Sequence, residues 1–350
     1  MYHKVIEDIK RNLGENKDLN RKYLISQIEI YKTHEYSTEI IKEISRMIWE
    51  CLTPEEQKEF ARIVNEENPI KETLIEAEFY IQNNDYETAL EKLDSFFKTH
   101  PKLYENDKIN EYHSFSNPLE ELIFNEFVGC EKKLRFIPED QPLDDLYYAY
   151  GFLLRDASRL DEAESALKKA LQINPVSTKI ILELCDIYKM RTPTFNKFYF
   201  YTMDALKYAY SGYELARIYR NLGFYYYEEN NIELTIACYM HSLKFENDPF
   251  VVQRIEQLEN NYNIILTEEE CQELMQDKHI KLGAHPFIIK NLEKLAIEYE
   301  QDKLLNQALF FYRLLYSVKK EDKTFNKIKL LDFQTRRNKR KKLIILYIII

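Results

Sequence analysis

Apolar positions along this chain recur at intervals of three and four, the spacing of amphipathic helices rather than of half-buried strands. The clearest run lies between Tyr147 and Pro175. Tyr147, Tyr150 and Leu154 form one stripe of a first helix, and Leu167, Ala170 and Leu171 form the stripe of a second. Between them, Arg159-Leu160-Asp161-Glu162 reads as a short turn leading into an acidic first turn, where the helix dipole favours negative charge. Asn174-Pro175 closes the second helix, because a residue before proline is driven out of helical geometry. Gly151 and Ala163 are small where two antiparallel helices would cross, so a larger side chain at either would push the backbones apart.

The same order of large and small residues returns along the chain. Tyr219 to Tyr226 repeats the aromatic, Leu222, Gly223 and a closing Tyr, with Thr235, Tyr239 and Ser242 on a second helix before Pro249. Gly223 lies 72 positions after Gly151, which leaves room for one further unit. Ile181, Leu184, Cys185 and Tyr188 supply its first helix, and Tyr201, Ala205 and Tyr208 its second, after a turn lengthened around Pro193. Two outlying units are looser. Ala77, Tyr80, Ala89, Leu93 and Pro101 make one, with a turn in Asn83–Leu90; Leu292, Leu295, Ala296, Tyr299, Ala308, Tyr312 and Leu315 make the other.

These residues resemble the tetratricopeptide repeat, a helix–turn–helix unit of 34 residues with the pattern W-x2-L-G-x2-Y…A-x3-F…A…P. In the clearest unit Tyr147 takes the Trp place, Tyr150 the Leu place, Leu154 the Tyr place and Leu167 the Phe place, while Gly151, Ala163, Ala170 and Pro175 match outright. The resemblance implies an all-α, right-handed solenoid of antiparallel helix pairs. Such repeats bury their faces only against each other, so about three or more are needed for stability. The expected organisation is an N-terminal helical segment over 1–68, a degenerate repeat over 69–103, an insertion with a helix over 104–143, and a central array over 144–249. A helical spacer over 250–286, a C-terminal degenerate repeat over 287–332 and a basic and apolar tail over 333–350 follow. Thr53-Pro54-Glu55-Glu56 in the first segment and Asn117-Pro118 in the insertion read as helix starts.

Composition agrees with that reading: 45% apolar and 31% charged residues with only 6 Gly and 10 Pro favour a helical array over an all-β fold. Cys51, Cys130, Cys185, Cys238 and Cys271 are scattered, without a C-x-x-C pair, which argues for a reducing compartment and against a disulfide framework or a zinc site. Cys185 stands where the repeat wants a small residue and reads as packing. The N-terminus has no apolar stretch of a secretory signal, so the expected setting is the cytoplasm. Six basic residues between Arg336 and Lys342 precede eight apolar ones, Leu343–Ile350, a run too short to span a membrane.

The function classes narrow accordingly. No metalloprotease, nucleophile-elbow, P-loop or dinucleotide motif occurs, and the seven histidines are dispersed, with His279 and His285 placed in a loop. The reading is a non-enzymatic interaction scaffold with no cofactor and no metal, bound to a protein or peptide rather than to nucleic acid. The alternative is a sensor whose solenoid closes on a short signalling peptide, as in architecturally similar tetratricopeptide receptors. In the family the first helix of each pair lines the concave face. Carried over, that face presents Asp145, Tyr148, Phe152 and Arg155; then Lys179, Leu182, Asp186 and Lys189; then Arg217, Arg220, Phe224 and Tyr227. Five basic residues against two acids, with aromatic platforms, suit an extended acidic or aromatic peptide. The chaperone-tail clamp of the family is not expected, because Tyr148 and Phe152 stand where it would want Lys and Asn.

Overall fold

A computed structural model of the chain describes residues 2–14, 16–31, 34, 36–53, 68–191 and 195–349, with the side chains of 2, 3, 29, 38, 39, 42, 49 and 336–349 outside the description. It falls into two compact units, Met1–Asn68 and Pro69–Ile350. The first contains α1 (Tyr2–Arg11), α2 (Lys17–Tyr31) and α3 (Ser37–Cys51), closed around Ile6, Ile9, Leu24, Ile40, Ile44 and Met47. The helix start expected at Pro54–Glu56 lies outside the described residues.

The second unit is built of helix pairs joined by short turns. They are α4 (Pro69–Gln82) with α5 (Tyr86–Thr99), α7 (Leu143–Asp156) with α8 (Leu160–Ile173), and α9 (Thr178–Lys189) with α10 (Phe195–Tyr208). Next come α11 (Gly212–Glu228) with α12 (Ile232–Ser242) and, near the end, α15 (Pro286–Gln301) with α16 (Leu305–Val318). All five units expected from the spacing are helix pairs. Between the last two lie α13 (Pro249–Tyr262) and α14 (Glu268–Asp277), and α17 (Asp322–Ile349) runs to the end. Pro193, expected in a lengthened turn, lies outside the described residues. Among the described residues no helix is long and apolar enough to cross a membrane.

The local reasons for these boundaries are those of helix termini. Asn84, Ser158 and Asn230 take left-handed φ values of 58°, 59° and 57° in the turns within three of the pairs. Asp85 accepts a hydrogen bond from Thr88 N, and Asn231 one from Leu234 N, each satisfying an amide that lacks a helical partner. Ser211 and Glu214 form a reciprocal capping box at the start of α11. His279 lies in a turn with φ 59°, and His285 caps α15 by accepting from Phe287 N.

The small residues act as the pattern implied. A Cβ on Gly151 would lie 2.5 Å from Leu167 Cγ and 3.4 Å from the Ala163 carbonyl oxygen, so α7 and α8 cross where only hydrogen fits. At Gly223 it would lie 2.5 Å from two carbons of the Tyr239 ring. Cys185 is buried, its sulfur 3.5 Å from Thr202 Oγ1, whose proton goes to the Phe198 carbonyl. Tyr147 and Tyr150 stack on Phe97 of α5, at 4.5 and 4.7 Å between ring centres, and so join neighbouring pairs into one core.

Two features differ from the expectation. The insertion holds its predicted helix, α6 (Pro118–Phe127) with Asn117 as cap, but also two four-residue strands, β1 (Asn110–His113) and β2 (Lys133–Phe136). They pair in parallel, Asn110 opposite Lys133 and His113 opposite Phe136. Runs so short and polar carry too little alternation to be read from sequence. The C-terminal pair, moreover, does not simply extend the row. α15 packs on α6 and α16 on α11, where Gly212 N donates to Ser317 Oγ and a Cβ on Gly212 would lie 2.7 Å from the Ser317 carbonyl oxygen.

Candidate partner-binding site

The first helices of the central pairs, α7, α9 and α11, pack side by side, and the residues singled out on them form a ladder of cross-helix contacts. Lys179 pairs with Asp145 and lies over the Tyr148 ring, 5.3 Å from its centre. Burial pushes the Tyr148 phenol up to about 12. Arg155 pairs with Glu183 and, at 2.9 Å, with Asp186; Arg217 reaches the same two carboxylates at 2.9 and 2.8 Å. Phe152 sits beneath Arg155 at 5.0 Å and meets Tyr86 of α5 edge-on. Arg220 pairs with Glu246 at 2.8 Å and Asp248 at 3.6 Å. Lys189 lies 3.9 Å from the centre of the Phe224 ring, and Tyr227 lies beneath Arg254 at 4.5 Å.

The electrostatic picture therefore changes. A face with five basic residues and two acids was expected, yet Glu183, Glu246 and Asp248 join it, and four of the five cations are held by carboxylates. Glu183 stands four residues after Lys179 and three before Asp186, on the same helical stripe. Leu182, expected on the groove, is only 1% exposed and belongs to the core. A helix turns about 100° per residue, so an assignment shifted by one position exchanges a groove residue for a core residue.

What remains cationic is concentrated at one end. A cleft of about 310 Å³ is lined by Lys189, Arg217, Arg220, Asn221 and Arg254, with Phe224, Tyr239, Phe250 and Val251 as its apolar walls. Lys189 and Arg254 have aromatic rings beneath them and, among the described residues, no ion pair. Burial lowers the Lys189 ammonium from its ordinary value; Asp186 opposes that shift and Arg217 adds to it. Asn221 is 6% exposed, and its buried amide nitrogen meets no hydrogen-bond partner among the described residues. Phe250, 82% exposed, stands at the rim. Lys189 and Arg254, which meet no carboxylate among the described residues, share this cleft with the paired Arg217 and Arg220 and make it complementary to an anionic group, because charge-assisted bonds are the strong ones.

Asn221, Phe250 and Arg254 were not singled out from the sequence. Asn221 was within reach, lying four residues after Arg217 and three before Phe224 on the stripe already chosen. Arg254 and Phe250 were not, because α13 carries no repeat spacing and read as a spacer. A larger cleft, about 690 Å³, lies between the insertion and the α15–α16 pair; Glu121, Glu139, Asp144 and Asp145 make its lining acidic, so it suits no anion.

No known protein family matches the chain, and no curated protein matches it either.

Proposed function

We propose that this chain is a non-enzymatic, cytoplasmic binding protein built on a right-handed array of tetratricopeptide type. It holds an extended acidic segment of a partner protein along α7, α9, α11 and α13. The repeat reading is supported by Gly151 and Gly223, each at a helix crossing that admits no side chain, and by aromatics that join successive pairs. The binding reading rests above all on the cleft around Asn221. Among the described residues its Lys189 and Arg254 carry no ion pair and lie on aromatic rings, and Phe250 offers an exposed apolar anchor beside them. The pairing of Arg155, Lys179 and Arg217 makes those residues the rigid frame of the face rather than its free charge. A cytoplasmic setting suits five cysteines that are all free thiols.

An array of Asp/Glu-rich peptides beside matched Asn/Gln-rich ones tests the reading, with wild type and the Lys189→Glu and Arg254→Glu variants as probes. Wild type should prefer the acidic set, and each variant should lose about tenfold or more in affinity at unchanged helicity, since setting a carboxylate against an acidic ligand costs several kcal/mol and about 1.4 kcal/mol is tenfold. Equal retention of both peptide sets, or acidic binding untouched by both variants, would remove this cleft from the function.

A further inference from the structure

The insertion carries a second constellation of polar side chains, unrelated to the cleft. Glu111 and His113 alternate on β1 and so project from the same face of the strand. Cys130 follows Gly129, whose φ of 71° turns the chain between α6 and β2 and brings the thiol beside that face. Carboxylate oxygen, imidazole nitrogen and thiol sulfur all lie within 4.8 Å of one another. Cys130 Sγ is 2.7 Å from Glu111 Oε2, and His113 Nε2 is 3.9 Å from the same oxygen.

The histidine shows that the group is arranged and not merely crowded. His113 is 5% exposed, and its Nδ1 lies 3.0 Å from the backbone carbonyl of Ile173 at the end of α8. That carbonyl can only accept, so Nδ1 carries the proton and Nε2 carries the lone pair. Nε2 is buried, meets no hydrogen-bond partner within bonding distance among the described residues, and lies near Glu111 and Cys130. A ring fixed through one nitrogen by a backbone carbonyl, with the other nitrogen bare, is the arrangement of a metal-binding histidine.

We propose that Glu111, His113 and Cys130 bind a zinc ion through one oxygen, one nitrogen and one sulfur, with the fourth tetrahedral position facing solvent. Zinc bonds of about 2.0–2.3 Å place tetrahedral ligands about 3.3–3.6 Å apart, within reach of small rotations of these side chains. The donor set is borderline to soft, which favours zinc over magnesium or calcium. Binding converts the Cys130 thiol to a thiolate, and the proton leaves to solvent. The ion would tie β1 to the turn before β2 and, through His113, to the end of α8. It would thereby brace the insertion against the central array.

The full-length protein, stripped with a chelator and kept reduced, is titrated with Co²⁺ as a spectroscopic stand-in and with Zn²⁺ by calorimetry. Wild type should take one equivalent of zinc, and cobalt should give a thiolate-to-metal charge-transfer band together with intense tetrahedral visible bands. Cys130→Ser should abolish the charge-transfer band, and Cys130→Ser and Glu111→Gln should each weaken zinc binding at least tenfold. A measurement on wild type alone guards against misfolded variants: one equivalent of zinc should slow alkylation of Cys130, read by mass spectrometry, at least tenfold relative to Cys51. Absence of a thiolate band in wild type, zinc affinity unchanged in Cys130→Ser, or alkylation of Cys130 indifferent to zinc would each overturn the site.

Discussion

Replacing Gly151 by Ala places a methyl group 2.5 Å from Leu167 Cγ and 2.7 Å from Leu167 Cδ2, where Leu167 is wholly buried. Two opposing effects follow. Alanine gains about 1 kcal/mol over glycine in a helix interior, while an overpacked core costs about 1–3 kcal/mol. The single variant therefore reports only the difference, between about zero and about 2 kcal/mol. A double-mutant cycle with Leu167→Ala removes the ambiguity. The propensity gain is the same in both arms and cancels, and the alanine at 167 no longer reaches the new methyl group. Leu167→Ala alone should cost about 2–5 kcal/mol through its cavity. In the double variant the added methyl should refill part of that space, giving a favourable coupling of about 1–3 kcal/mol. Arrays of helix pairs open in parts, so the local quantity is the one to read: native-state hydrogen exchange of amides in α7 and α8. Additive effects at these two positions would mean that α7 and α8 do not cross at Gly151, and the repeat interpretation of this pair would fall with them.

Other consequences can be checked on the same protein. Burial pushes the Glu214 carboxyl up to about 7, against bonds from the Tyr210 and Ser211 backbone. A folded-state value above the unfolded one gives stability that is present at low pH and lost as pH rises through about 7. Glu214→Gln, which keeps the shape of the cap, should remove that slope, on the order of 3 kcal/mol between pH 4.5 and 7; parallel denaturation profiles for variant and wild type would contradict it. His241 has the opposite sign, because burial lowers its imidazole to about 4. Relative to His241→Asn, wild type should gain stability as pH rises from about 4 to 6.5, and a flat difference would show the ring to be solvated. Glu183, with its side chain 6% exposed, accepts from both Arg155 and Arg217. Glu183→Ala should cost about 2–4 kcal/mol in urea unfolding, largely insensitive to salt, whereas a loss below 0.5 kcal/mol would make the pairing a surface one. Ser211→Ala should cost about 1 kcal/mol, seen as faster exchange in the first turn of α11; unchanged exchange there would deny the capping box.

The chain's own pattern determined the helix pairs, because they depend on neighbours in sequence. Spacing of three and four sets each stripe, Gly151 and Gly223 mark the crossings, and Asn174-Pro175, Asn117-Pro118 and the Asn83–Leu90 turn set boundaries that local backbone chemistry enforces. Burial of Cys185 followed from its place in the repeat. The tertiary structure alone decided what depends on residues far apart. The β1–β2 pairing joins two polar tetrapeptides, and the packing of α15 on α6 and of α16 on α11 brings together segments far apart in sequence. The charge of the candidate face was misjudged for the same reason. Whether Arg155 or Arg217 is free depends on carboxylates such as Glu183 of a neighbouring helix, and whether Lys189 and Arg254 are free depends on none arriving. A stripe of side chains is a local property, legible wherever the helix is legible. Its net charge is a property of the packed surface, settled only when every neighbouring element is in place.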